Sequence, residues 1–564
     1  MHPAAPWWRP GGEGVTLAAL VVLALALFAA PLVLLLAQAG SAEAVASALD
    51  SRAVQRALFN SLDSAAVSAL LATLFGFALA LVVALTDVRG KGAVTFLILL
   101  PMMIPPHVTA IAWTQLLGPS SAVLGAIGLA PPPGTNSPLY SREGVIALLS
   151  LQHAPLVFLV MLAALRGLPR EGVEAARVSG AGAARTLGRV ILPMVAPALV
   201  AAAALAFVSA LGNFGIPALL GIPGRYTTLP VLIWQRLSAF GPGMLQGVAV
   251  LSAVMALVAL AAVAAQMALA RHAGVRLIGP PQPPLRFRLG RARGLVEAGL
   301  AVVVVGTLAL PLAALTGTAL VPAYGVPLSA ATATFDNFRE VLVRQAVTLR
   351  AFGNSTLAAG IAGAALAALA LVAGYFASAR GWRRRAGAAV ATLAELTYAV
   401  PGIVISIAFI LAFLRPLPVI GLSLYGTFAI IALAYLAAFA AIALKPVAAA
   451  YGQLDPALDE AARVAGAGFG RRMGRVFAPL VAPAAASGAI LVFLTAYNEI
   501  TVSALLWSRG NETIGSVIFN YETGGYTTIA AAMAVVTVVA TAVLMLVLDF
   551  AGRRLPPGVV PWRV

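Results

Sequence analysis

Few residues in this sequence could do chemistry, and their spacing argues against catalysis. Four histidines stand at positions 2, 107, 153 and 272, too dispersed for a metal cluster, and no cysteine supplies a thiolate or a disulfide. Neither H-E-x-x-H nor G-x-S-x-G occurs, and the one Gly-Lys pair, Gly90-Lys91, lacks the upstream glycine and the following Ser or Thr of a phosphate loop. A mildly polar, basic stretch does recur. EAARVSGAGAARTLGRVILPMVAPA, from Glu174 to Ala198, returns as EAARVAGAGFGRRMGRVFAPLVAPA from Glu460 to Ala484, 286 residues later, with seventeen of 25 positions identical. The carboxylates Asp63, Glu395 and Glu499 lie near the ends of apolar runs. An ion-coupled secondary transporter would need such groups deep in a bilayer, which is the reading that competes with the one developed below.

The elements that position these residues are apolar. Hydrophobic residues make up 61% of the 564, and the mean hydropathy is +0.98, beyond what a soluble globule carries. Apolar runs of the length that crosses a hydrocarbon core of about 30 Å are expected near 15–37, 60–85, 93–117, 143–165, 189–212 and 243–270, then 295–316, 354–378, 388–414, 425–446, 476–499 and 527–549. The chain therefore reads as an all-α polytopic membrane protein of about twelve transmembrane helices. The alternating ten-residue segments of a membrane β-barrel do not appear. Of 36 Lys and Arg, 26 fall on alternate loops and the two ends, so a net charge of +17 is explained by positive loops held on the cytoplasmic side rather than by nucleic acid. Both termini are expected in the cytoplasm, and the first apolar run, too long for a signal peptide, is expected to be retained.

The repeat divides the chain into a first half, 1–270, a Pro-rich basic cytoplasmic linker, 271–294, and a second half, 295–564. Each half is a six-helix unit. Asn60-Ser61 opens the second helix of one half, and Asn354-Ser355 opens its counterpart. The third helix carries Pro101, Pro105 and Pro106 in one half and Pro401-Gly402 in the other, marking helices that are kinked or line a pathway. His107, beside these prolines, is expected to bond a carbonyl that they free. Without a gap the similarity places Asn213 opposite Glu499, Gly224 opposite Gly510 and Thr227 opposite Thr513. Two halves of like orientation imply a pseudo-two-fold along the membrane normal, and a path along it. Asn213, Asn498 and Glu499 either line that path or cap helix ends.

Within each repeated stretch Pro169, Glu171 and Glu174, or Asp455 and Pro456, signal a helix start. Glycines 180 and 182, or 466 and 468, then interrupt it before a second short helix bearing Arg185 and Arg189, or Arg471 and Arg475. A helix–turn–helix lying along the membrane is expected, with Ala175, Ala176, Ala461 and Ala462 offering a small-residue surface that another protein could approach.

The pattern of Glu-Ala-Ala, glycine six residues after the Glu and proline thirteen further on resembles the cytoplasmic signature of binding-protein-dependent ABC importer permeases. The resemblance covers both halves and implies the type I importer permease fold, with a coupling helix that sits in a groove of an ATPase subunit. It assigns that coupling role to Glu174, Ala175, Ala176 and Gly180, and to Glu460, Ala461, Ala462 and Gly466. It further implies two copies of a cytoplasmic ABC ATPase, a periplasmic solute-binding protein, a bacterial inner membrane, and ATP and Mg held by the ATPase rather than by this chain. LLPMMIPPHVTAIAWTQLLGP and TYAVPGIVISIAF look most like fused, double-length ferric iron permeases. Related permeases serve thiamine, phosphonates or polyamines.

Overall fold

Proline governs where these apolar helices bend. In the computed structural model, which describes residues 12–40, 42–239, 243–272, 287–416, 421–556 and 558–560, ten helices are long and apolar enough to cross a membrane. In the first half they are Gly12–Ala39, Arg52–Leu85, Arg142–Arg166, Ala183–Leu211 and Met244–Leu269. In the second they are Gly290–Ala319, Ala346–Ser378, Phe428–Tyr451, Phe469–Tyr497 and Thr527–Ala551. Four of the ten contain a π-helical turn, at Leu25–Ala29, Leu187–Ile191, Val305–Ala309 and Met473–Phe477. Each turn ends two residues before a proline, Pro31, Pro193, Pro311 or Pro479. A proline ring clashes with the carbonyl four residues back, and one widened turn relieves the clash without breaking the span.

The third helices, expected as single kinked spans at 93–117 and 388–414, are instead broken. Lys91–Met103 and Pro106–Ala126 meet at 99°, and Trp382–Ala399 and Gly402–Phe413 at 110°, so the count is ten spans, or twelve if each bent pair is one. Pro105 and Pro401 hold nearly the same backbone, φ −56° and ψ 140° against φ −55° and ψ 141°, each at the start of the second segment. The residue before a proline avoids the helical region, so Ile104 and Val400 leave the helix at ψ 128° and 130° and the chain turns.

Each half keeps a three-helix core. Arg52–Leu85 packs on Arg142–Arg166 and Ala183–Leu211, as Ala346–Ser378 packs on Phe428–Tyr451 and Phe469–Tyr497. The first helix of each half lies elsewhere: the Ala30–Ala39 end of one packs on Gly402–Phe413 of the second half, and the Leu310–Ala319 end of the other on Pro106–Leu117 of the first. The halves thus exchange their first helices, each laid along the other's broken helix. Most of the expected linker, 273–286, lies outside the described residues. Its far end is docked rather than free, because Phe287 N–H donates to the Leu85 carbonyl at 2.7 Å and Leu289 N–H to Asp87 Oδ1 at 2.9 Å. Arg293 pairs with the same carboxylate. These bonds, the Leu289 one above all, hold Asp87 below the usual carboxylate range.

At the face away from the repeated stretches the Asn-Ser pairs do matching work. Ser61 Oγ accepts from Leu229 N–H at 2.7 Å and Ser355 Oγ from Ile514 N–H at 2.9 Å. Asn60 Nδ2 donates to the Thr227 carbonyl and Asn354 Nδ2 to that of Glu512, both at 2.9 Å. The pins fix the short helices Leu229–Ser238 and Ile514–Thr523 over the second helices. They also correct the register. The structural shift here is 285 residues, so Thr228, not Thr227, answers Thr513, and Arg225 rather than Gly224 answers Gly510. Arg225, at φ 53°, is the one non-glycine with positive φ among the described residues and occupies the conformation that Gly510 takes at φ 98°.

Candidate functional site

The two repeated stretches fold alike. Arg170–Val178 and Ala457–Val464 are short helices, followed by a turn and by the second helices Ala183–Thr186 and Phe469–Arg472. Asp455 Oδ1 accepts from Ala457 N–H at 2.8 Å, which starts the second copy as the Asp-Pro signal implies. Each first helix stops on a Schellman motif. Gly180 N–H donates to Arg177 O at 3.0 Å and Ala181 N–H to Ala176 O at 2.9 Å; Gly466 N–H donates to Arg463 O at 2.9 Å and Ala467 N–H to Ala462 O at 3.0 Å. The motif needs a left-handed residue, and Gly180 and Gly466 supply it at φ 80° and 74°.

Glu174, Ala175, Glu460 and Ala461 are exposed, while Ala176 and Ala462 turn half-buried toward the body. Glu460 reaches Arg380 at 2.8 Å. One residue in each copy escaped the sequence reading. Val178 and its counterpart Val464 are each 90% exposed, the most exposed large apolar side chains among the described residues, at the tip of an otherwise polar turn. An isolated exposed valine needs no explanation; here the same one protrudes equally in both copies beside an exposed alanine, so the two turns present the same small apolar patch. The lack of apolar periodicity in so short a segment hid it.

Two cavities lie along the broken helix Gly402–Phe413. The inner one, the farther from the short pinned helices, is about 180 Å³ and is lined by Ser209, Gly212, Tyr398, Pro401, Ile405, Glu499 and Thr501 among others, with Glu499 its one acidic side chain. The outer one, about 610 Å³, is lined by Trp234, Ile410, Leu414, Tyr425, Trp507 and Phe519 among others. Trp234 and Phe519 are 285 residues apart, equivalent positions on the two short pinned helices. Their rings meet edge to face at 5.8 Å, and both touch the fully buried Phe214, at 6.0 and 5.4 Å. Equivalent residues of two repeats can meet in this way only near the axis relating them, so Trp234 and Phe519, packed on the buried Phe214, wall this cavity at the junction of the halves. No local motif announces it.

The polar residues Asn213, Asn498 and Glu499 are not brought together. Asn213 Oδ1 accepts from Ile216 N–H at 3.2 Å; Glu499 accepts from Val502 N–H at 2.7 Å and Ser503 N–H at 3.2 Å. Both therefore cap the turn that follows the fifth helix, yet only Glu499 also borders a cavity. Asn498 joins the halves, its Nδ2 donating to the Met103 carbonyl at 3.2 Å and to Thr541 Oγ1 at 3.3 Å. Asp63 is engaged by Arg142 at 2.6 Å and by the Tyr226 hydroxyl at 2.7 Å, and Glu395 is exposed. His107 is wholly buried but bonds no freed carbonyl, since neither ring nitrogen has a partner.

At the face away from the repeated turns, Glu522 closes the helix Ile514–Thr523 near Tyr140 and Tyr324. Burial pushes its carboxyl up to about 7, against a hydrogen bond with Thr527. Between 4.5 and about 7 the folded chain keeps a proton that the unfolded chain has lost. The folded state binds more protons there, so stability falls as pH rises through that window. Glu522→Gln is expected to raise Tm above pH 7 and leave it unchanged below pH 4.5, in thermal unfolding of the detergent-solubilised chain. Equal pH profiles for the two proteins would refute the assignment.

The described residues define an all-helical polytopic membrane protein built of two equivalent halves, each with one exposed turn. The family model described as the binding-protein-dependent transport system inner membrane component matches residues 72–273 and again 339–560. The chain belongs to that family, as two tandem copies of its module. It is 28% identical over 481 residues, 84% of this chain and 83% of the other, to a probable ABC transporter permease of Sinorhizobium fredii. It is 32% identical over 197 residues, 35% of this chain and 69% of the other, to a probable molybdenum ABC transporter permease of Haloferax volcanii. Among solved structures, a bacterial ABC transporter that imports the acidic polysaccharide alginate aligns with 47% of this chain and 97% of its own at 18% identity and a TM-score of 0.38.

Proposed function

We propose that this importer permease seats two copies of a cytoplasmic ABC ATPase on its two repeated turns and passes a cation, ferric iron, from a periplasmic binding protein through the junction of its halves. The observation that carries the ATPase contact is the pair of exposed valines, Val178 and Val464, each on a Schellman turn beside Glu174-Ala175 or Glu460-Ala461. On this reading the turns and both termini face the cytoplasm, and the helices Leu229–Ser238 and Ile514–Thr523 lie at the outer face of a bacterial inner membrane, where the binding protein docks. ATP and Mg belong to the ATPase.

The cation rests on Glu499, the one acidic side chain on the inner cavity. Hard cations take oxygen ligands, and one carboxylate makes a weak station that a passing ion can leave. The name of the molybdenum relative favours an oxyanion instead. Against that, two like charges about 4 Å apart repel by about 4 kcal/mol at an effective dielectric of about 20, and no basic side chain lines the cavity to offset it. Proteoliposomes carrying the chain, its ATPase and its binding protein are expected to take up ferric iron in the presence of ATP, with no competition from molybdate or sulfate. Competition by either oxyanion would overturn the cation reading, and uptake without an ATPase would overturn the importer mechanism.

A further inference from the structure

Each repeated turn ends its first helix on Glu-Ala-Ala-Arg-Val, and the structure gives the arginines, Arg177 and Arg463, matching partners that neither lie in the same half nor belong to the turn. Arg463 Nη2 is 3.3 Å from Glu13 Oε1, at the start of Gly12–Ala39, the first helix of the opposite half. The guanidinium of Arg177 lies 5.7 Å over the ring of Phe287, three residues before Gly290–Ala319, again the first helix of the opposite half. The same exchanged helices pack at their other ends on the broken helices: Ala30–Ala39 on Gly402–Phe413, and Leu310–Ala319 on Pro106–Leu117. Gly402–Phe413 borders both cavities.

On this geometry we infer that the exchanged first helices are connecting rods. Glu13 and Arg463, and more weakly Phe287 and Arg177, are the positioning residues that fasten each rod to a turn, so that movement of the turn is delivered to the broken helix beside the path. The inference rests on the reading of the turns as the ATPase contact.

The two fastenings differ in strength. At the second turn Glu13 also meets Arg472 and Arg383, each at 2.8 Å, and Asp459 meets Arg463 at 2.8 Å and Arg472 at 3.3 Å. Tyr375 Oη stands 3.2 Å from Arg472 and 3.3 Å from Arg463. The side chains of Glu13 and Arg472 are only 12% and 5% exposed, so the pair is shielded from the screening that weakens surface bridges. Removing one partner of a shielded pair leaves the other charge unsatisfied, which costs more than the pair itself contributes. At the first turn the residues 286 positions earlier are Val173, where Asp459 stands, and Thr186, where Arg472 stands. Both are buried, and the Thr186 hydroxyl donates to the carbonyls of Ala181 and Gly182, both within its own turn. Here the cation–π contact of Arg177 with Phe287 ties the turn to the rod.

The test uses the reconstituted complex of the full chain with its ATPase and binding protein. Glu13→Gln is expected to lower solute moved per ATP hydrolysed by about tenfold, the factor of an uncompensated buried charge discounted for partial exposure, while the complex assembles and basal ATP hydrolysis persists. Arg463→Gln, at a side chain 43% exposed and so tolerated in folding, is expected to give the same loss. The double variant is expected to lose no more than either single one, as for two residues acting through one interaction. Phe287→Ala is expected to cost about threefold, the size of an exposed cation–π contact. A ratio of solute to ATP that does not change in Glu13→Gln and Arg463→Gln overturns the proposal, as does a change confined to Tm or yield. A cysteine at Val464 that cross-links to the ATPase while the ratio stays unchanged sinks the rods alone. No cross-link sinks the reading of the turns, and the rods with it.

Discussion

Valine in place of Gly180 or Gly466 is expected to lower solute-stimulated ATP hydrolysis and uptake by about tenfold or more, while the chain still inserts. The reason is backbone conformation and not crowding, because a Cβ at either glycine meets nothing within 4 Å. A left-handed backbone costs an L-residue roughly 1–2 kcal/mol, more when it is β-branched, and about 1.4 kcal/mol is a factor of ten in rate. The turn gives way first, and the Glu-Ala-Ala surface loses its shape. Gly182 and Gly468 provide the control. They stand in equally open space at φ −67° and −65°, ordinary extended backbone. Alanine there is expected to leave coupling within about twofold, since no left-handed conformation is required. ATPase stimulation measured for all four variants in proteoliposomes checks the contrast. Normal coupling in Gly180→Val and Gly466→Val would remove the turns from energy transfer.

The second large effect is expected at Glu499. On the proposed cation reading, Glu499→Gln is expected to lower uptake by about tenfold, the loss of one charge-assisted contact, with stimulated ATP hydrolysis retained. The first half shows why folding survives. At the matching position the neutral Asn213 caps Ile216 through a side-chain oxygen, so the cap requires an oxygen and not a charge. Gln keeps one oxygen for Val502 N–H, gives up the second acceptor that Ser503 N–H uses, and removes the carboxylate from the inner cavity. If Glu499 serves only as a cap, losing it costs about 1 kcal/mol of stability and uptake by the surviving complex stays normal. Unfolding of the detergent-solubilised variant, read beside uptake in proteoliposomes, separates the two outcomes.

The sequence alone determined much of what is encoded within one helix or one turn. Apolar run lengths located ten of the twelve expected spans, the repeated stretch fixed the two equivalent halves, and the glycines six residues after Glu174 and Glu460 fixed turns that a left-handed residue closes. The Asn-Ser pairs were legible as a repeated signal, though not as pins, because their partners lie more than 150 residues away. Tertiary structure decided whatever depends on pairing between distant elements. Proline announced an interruption at Pro105 and Pro401 but not its angle, since a kinked span and a bend of 99° or 110° share one local pattern and differ in what packs against the second segment. The same holds for the exchange of first helices. An apolar helix reads alike whichever half it covers, and only packing joined Glu13 to Arg463 and Phe287 to Arg177. Trp234 and Phe519 met because the halves are related by symmetry, a relation that the repeat implied and that only the folded chain turned into a contact of 5.8 Å.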